Sequence, residues 1–357
     1  MYSELLEESM SPKGRNALIG AVATGAVEPD ERAMRIAYAC LLCRRDELTC
    51  RGALKNAQAN ETFRKLLVDR GLQPLPAHEA ALKSLANYGN PWQEPKLARK
   101  KWARNLKARR FDKGEHGTLL FVGCTAGLDR NLWEGPRALA RLMDLADERW
   151  GALQDDELCC GSTAKRIGQQ KVFEKLRDDN VNLIKSIGAR RIVVPCAGCL
   201  KTFRQDYGEL LKDVEVLHSS EYILKTLNEK RLRIPPVMIR VTYHDPCHLG
   251  RHVEMYDTPR EVLRSVKGLK LVEMENSREK AKCCGGGAGV KTAYPEVASK
   301  VAVKRLKEAE ATGTSILVTS CPFCVQTLKA AKEQTGSHME IMDLPVLLER
   351  IITGTIE

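Results

Sequence analysis

Aromatic residues are scarce in this chain, at 5% of 357 positions. No zinc-finger or RNP pattern accompanies them, which sets nucleic-acid binding aside despite a formal charge of +11. The basic balance favours an acidic partner or an anionic substrate instead. Long apolar runs are also missing: none approaches the ~18 residues of a membrane span. The opening stretch MYSELLEESMSPKGR has no apolar core of a secretory signal. The expectation is a soluble, cytoplasmic protein in a compartment that keeps thiols reduced. No GxGxxG fingerprint for a nicotinamide or flavin is present, so electrons for any redox role must come from a partner. The glycine run at 285–289 is not directly followed by the Lys-Ser/Thr of a phosphate-binding loop.

What the chain has in quantity is cysteine, thirteen in all. Under reducing conditions these imply metal or redox chemistry and not a disulfide framework. Ten of them form a ladder: Cys124, Cys159-Cys160 and Cys196-x-x-Cys199, then Cys247, Cys283-Cys284 and Cys321-x-x-Cys324. The groups are separated by 34 and 35 residues in the first copy and by 35 and 36 in the second. A spacing that recurs this closely is a unit built twice.

The surrounding texture is α/β. TLLFVGC, ARRIVVPC, MIRVTYHDPC and SILVTSC are apolar strands, each ending at a ladder cysteine, and helical stretches such as PRALARLMDLADERW separate them. Parallel βαβ units follow, with ligands collecting beyond the carboxyl ends of strands. The stretch RLRIPP (231–236) reads as the join between the halves.

Each CxxC follows a strand and opens a helix, whose N-terminal N–H groups favour thiolate. A redox dithiol would explain one CxxC and leave the other cysteines idle. Structural zinc closes its shell with four ligands, one fewer than each unit offers. Five thiolates including an adjacent pair favour a multi-iron cluster, with zinc as the competing reading. Gly161 and the glycines at 285–289 would let backbone N–H groups approach sulfur.

The pattern C-x(31–39)-CCG-x(34–36)-C-x-x-C, present twice over about residues 117–357, resembles the cysteine-rich CCG-domain family, typified by the catalytic subunit of heterodisulfide reductase. The strings YHDPCHLGR and CCGGGAG carry the same likeness. The resemblance implies two noncubane 4Fe–4S clusters facing each other across a domain interface, with a disulfide substrate split between them. One would fall on Cys124, Cys159, Cys160, Cys196 and Cys199, the other on Cys247, Cys283, Cys284, Cys321 and Cys324. It implies two pseudo-repeated CCG domains, 116–235 and 236–357, after a helical ferredoxin-like domain and basic linker at 1–115. His248 matches the family histidine beside the cluster, either a catalytic proton donor or a donor to cluster sulfur. Arg251 is expected to neutralise an anionic substrate or to pair with Asp245. His218 and His338 are read as structural, away from the cysteines.

Residues 1–115 are predicted helical: ERAMRIAYACLLC running into Cys40, ETFRKLLVDRGL stopped by Gly71, and HEAALKSLANYGNPW ended by Gly89 and Pro91. Between Lys96 and Lys113, nine Lys/Arg face one acid, Asp112, which reads as a solvated helical linker. Cys40-x2-Cys43-x6-Cys50 is ferredoxin spacing with Asp46 in the third cysteine's place. A second such motif is absent. The reading favours a degenerate module over a third cluster on Cys40, Cys43, Asp46 and Cys50.

The expected function is an iron–sulfur oxidoreductase subunit of heterodisulfide-reductase type acting on thiols and disulfides. Its expected partners are a ferredoxin-like iron–sulfur subunit and a flavoprotein or membrane cytochrome subunit. The alternatives are an electron-transfer subunit of a glycolate, lactate or glycerol-3-phosphate oxidising complex, and a zinc-stabilised scaffold.

Overall fold

Runs such as RIVV at 191–194 and ILVT at 316–319 are almost wholly apolar, as strands covered on both faces are. In the computed structural model, which describes residues 2–106 and 108–356, they are inner strands of two parallel sheets. Lys107 of the basic segment lies outside the described residues. The first sheet holds β1 (Thr118–Leu120), β2 (Trp150–Ala152), β3 (Arg191–Val194) and β4 (Glu215–His218), ordered β2-β1-β3-β4. The second holds β5 (Arg240–His244), β6 (Lys270–Leu271), β7 (Ile316–Thr319) and β8 (Glu340–Asp343), ordered β6-β5-β7-β8. The α/β fold with two repeated units is as the sequence predicts. The four strands legible in the sequence are the four inner ones.

Alternate strand residues enter different cores. Leu119, Phe121, Ile192, Val194 and Leu317 pack with the ladder cysteines. Leu120, Val193, Tyr243 and Val318 pack into a second core shared by both sheets, with helices Glu134–Leu145 and Leu344–Thr353. The two units therefore stand back to back, and full burial of Leu347 there contributes about 2 kcal/mol.

The N-terminal region is helical: Pro12–Ala23, Glu31–Tyr38, Asn56–Asp69 and Pro76–Tyr88. Asp30 caps the second helix, its Oδ1 accepting the Ala33 N–H at 2.9 Å. That helix does not run into Cys40; it ends at Tyr38. Arg15 and Arg64 donate to the carbonyls of Ala39 and Cys40 at 3.2 and 2.6 Å. Leu42 and Arg44 then take positive φ, which no helix continues through. The basic segment is no free linker either: Lys96–Ala103 is a 3₁₀ helix with Arg99 and Trp102 buried. No helix among the described residues is long and apolar enough to cross a membrane.

Candidate metal centre

Both sheets deliver their single cysteines and CxxC pairs at the carboxyl ends of inner strands, and their adjacent pairs in loops after the outer strands β2 and β6. Cys124 opens helix Cys124–Leu128 after β1. Cys196 and Cys321 cap helices Ala197–Lys201 and Pro322–Thr335 after β3 and β7, and Cys247 lies in the turn after β5. All ten ladder cysteines line one cavity of about 320 Å³. Nine are buried and Cys247 is half-buried.

The glycine after each adjacent pair is required by geometry. Gly161 and Gly285 have φ of +80° and +89°. A Cβ would lie 2.8 Å from Phe173 Cδ2 at the first and 2.4 Å from the Ala298 carbonyl oxygen at the second. So turned, their N–H groups donate to Cys159 Sγ and Cys283 Sγ, each at 3.4 Å.

The sulfurs meet in pairs. Cys124 and Cys159 are 3.6 Å apart, and Cys284 and Cys324 are 3.4 Å apart. Thiols of Cys159 and Cys199 hold Cys160 well below the ordinary thiol value. In the same way, Cys283 and Cys324 hold Cys284 down. Cys321 is lowered by Cys196 and Cys324, so a thiol contact also crosses between the units.

This donor set fits a cluster better than a single ion. Tetrahedral zinc at ~2.3 Å from sulfur would hold four sulfurs within about 4 Å of one another. Among the described residues, the three ligand atoms that gather within 4.8 Å are those of His244, Cys284 and Cys324. Cys124 and Cys159 touch as thiolates on neighbouring irons would, and the other sulfurs border the cavity.

Four side chains at the site depart from the sequence reading. Asp245 pairs with Arg260 at 2.7 and 2.9 Å, not with Arg251. Arg251 donates to the carbonyls of Cys43, Glu279 and Ala281 at 2.5, 2.9 and 2.7 Å and so ties loops together. His218, read as remote, is buried at the end of β4 within electrostatic reach of Cys321; burial lowers its pKa to about 4. His244, to which the sequence lends no role, is held in place by a cation: its Nδ1 accepts from Arg305 Nε at 3.0 Å.

His248 does stand beside the cysteines. Its Nδ1 lies 3.4 Å from Cys247 Sγ, and its ring stacks on His252 with centroids 4.4 Å apart. Burial and His252 hold it well below the ordinary histidine value, so the ring carries one proton at neutral pH. Sequence reasoning missed two cations on the cavity wall, Arg166 and Lys291. Their signal was a basic residue six or seven positions after each adjacent pair.

The N-terminal cysteines diverge. Cys43 turns toward the second unit, its thiol hydrogen-bonded to Cys283, and that contact together with burial pushes its pKa up. Cys40 packs with Leu42 and Ala57, and Cys50 follows the 3₁₀ helix Asp46–Thr49. Asp46 Oδ2 is buried without a partner.

A chain whose repeated α/β units gather two such sets of cysteines belongs to a defined class, and comparison with known proteins agrees. The chain belongs to the cysteine-rich domain (CCG) family, matched over residues 118–204 and 241–329. It is 33% identical to a subunit of the dihydromethanophenazine:CoB–CoM heterodisulfide reductase of Methanosarcina mazei, over 86% of this chain and 76% of that one. It is 30% identical to an EtfAB:quinone oxidoreductase of Syntrophomonas wolfei over 78% of this chain and 41% of that one. A hypothetical protein from Helicobacter pylori shares the fold, with TM-score 0.63 and 8% identity over 95% of this chain and 66% of that one.

Proposed function

We propose that this chain is an iron–sulfur oxidoreductase subunit of heterodisulfide-reductase type, performing thiol–disulfide chemistry within an electron-transfer complex. The observation that carries the reading is the opening of both cysteine quintets onto one cavity. Cys124, Cys159, Cys160, Cys196 and Cys199 would hold one noncubane 4Fe–4S cluster, and Cys247, Cys283, Cys284, Cys321 and Cys324 the other. When bound, such clusters supply one-electron redox equivalents and iron sites with affinity for sulfur.

The chain's own groups do the rest. Backbone N–H groups of Gly161 and Gly285 steady the sulfurs they bond. Lys291 places positive charge on the cavity wall, suited to an anionic thiol or disulfide, while Arg166 on the same wall is paired with Glu61 and Asp206. His248, neutral, sets its Nδ1 3.4 Å from Cys247 Sγ and leaves Nε2 unpartnered, so it offers one ring proton beside the sulfurs and is not a standing acid. Trp92 and Phe323, centroids 6.0 Å apart, present an apolar wall that limits water. The N-terminal cysteines are read as a degenerate module. The complex would include a ferredoxin-like iron–sulfur subunit and a flavoprotein or membrane cytochrome subunit.

Anaerobically purified protein is expected to carry about eight irons and to reduce a small disulfide with a viologen donor. A colourless, zinc-bound preparation would sink the reading. A second reading, an electron conduit, is supported by the likeness to a quinone-linked oxidoreductase. Electron transfer without turnover of any disulfide would favour it.

A further inference from the structure

We infer that His244 donates a hydrogen bond to the second sulfur group, with no counterpart in the first, and so makes the two cofactor sites unequal in reduction potential. This rests on the reading of the ten cysteines as cluster ligands.

His244 closes β5 and is 1% exposed. Its Nδ1 accepts from Arg305 Nε at 3.0 Å. Arg305 is itself fixed by Glu308 Oε2 and the Asn276 carbonyl, each at 2.8 Å. An arginine N–H only donates, so Nδ1 is the bare nitrogen and the ring proton sits on Nε2. Nε2 is buried and has no hydrogen-bond partner. A ring nitrogen of the imidazole lies within 4.8 Å of Cys284 Sγ and Cys324 Sγ, and with Nδ1 taken by Arg305, Nε2 is the nitrogen available to a ligating sulfur. A protonated Nε2 is a donor, not a metal ligand.

At the matching strand position the first unit offers no donor. His244 lies three residues before Cys247; three residues before Cys124, just past β1, stands Phe121. Its ring meets Phe203 edge-on, with centroids 4.9 Å apart. The backbone donors are matched between units, Gly161 against Gly285, both at 3.4 Å. At this strand end the side chain is therefore the difference. His248, bonded to Cys247, lies on the same side and adds in the same sense. A hydrogen bond to a ligating sulfur offsets the negative charge gained on reduction and raises the potential. The second site is then reduced first and keeps the electron whenever the chain holds one.

The test is an EPR-monitored redox titration of iron-loaded wild type, His244→Phe and His244→Gln. Wild type should show two midpoints. With iron retained, His244→Phe should lower the higher midpoint toward the lower one, which stays in place. His244→Gln, which keeps an N–H donor, should shift it less. Unmoved midpoints in an iron-replete His244→Phe protein overturn the inference. Should His244→Phe lose iron, His244→Gln decides: iron loss there too makes His244 a ligand and overturns the inference, as does an unmoved midpoint. Wild-type protein that binds no iron fails the cluster reading of the site instead.

Discussion

The thiols of Cys196 and Cys321 face each other across the two units, each shifting the other's pKa, although each belongs to a different quintet. With metal present, those sulfurs would be engaged on separate irons. Once metal is removed, Cys321, its pKa lowered, lies beside its partner thiol, the arrangement that air oxidation couples. Chelated protein exposed to air should therefore yield a peptide crosslinked through Cys196 and Cys321, seen by mass spectrometry and absent from the metal-loaded form. Thirteen intact thiols after chelation and aeration would contradict this.

Ligand loss should be divisible. Cys160→Ser and Cys284→Ser are each expected to remove about four of roughly eight irons, and the double variant nearly all. Cys50→Ser should leave the count unchanged, because Cys50 stands apart from the cavity. A drop of about four irons in Cys50→Ser would instead argue for a third cluster.

Asp206 is predicted to govern acid stability. Burial alone would raise its pKa, but the Arg166 guanidinium and the Lys201 ammonium overcome that and hold it well below the usual carboxylate range. A carboxyl depressed in the folded state contributes stability in full above its unfolded value of ~3.9 and loses it as pH falls through the folded value. Asp206→Asn should cost about 3 kcal/mol at neutral pH, by analogy with other broken buried pairs. Denaturant titrations should show the gap to wild type constant down to about pH 4 and closing below it.

Arg64 joins three parts of the chain. It is fully buried and donates to Ala37, Cys40, Arg166 and Ala288 carbonyls at 2.6 to 3.1 Å. Arg64→Met leaves those acceptors unsatisfied and should cost about 3 kcal/mol or more. Limited proteolysis should then cut first near residues 40–50. Unchanged stability would show that the N-terminal region docks by other contacts.

What the sequence made legible was local. The inner strands stood out because both faces are buried and the residues are β-branched, and the cysteines because their spacing repeats. The outer strands were not: β2 is Trp-Gly-Ala, β6 is two residues, and β4 begins on an exposed glutamate. The contacts of Arg251 with Cys43 and of Arg305 with His244 span 208 and 61 residues. Such contacts leave no periodic trace, so no pattern could announce them. Asp245 and Arg251 looked like a pair because they are near in sequence, yet Arg260, farther along the chain, took the carboxylate.

The cavity wall has one more implication. Ala81, Pro91 and Trp92, from the stretch before the first sheet, close part of the space over the sulfurs. Whatever fits there is judged by a segment with no ligand among the ten. Part of the choice of guest is thus written in a length of polypeptide apart from the sulfurs, and that part can change while the sulfur sites stand still.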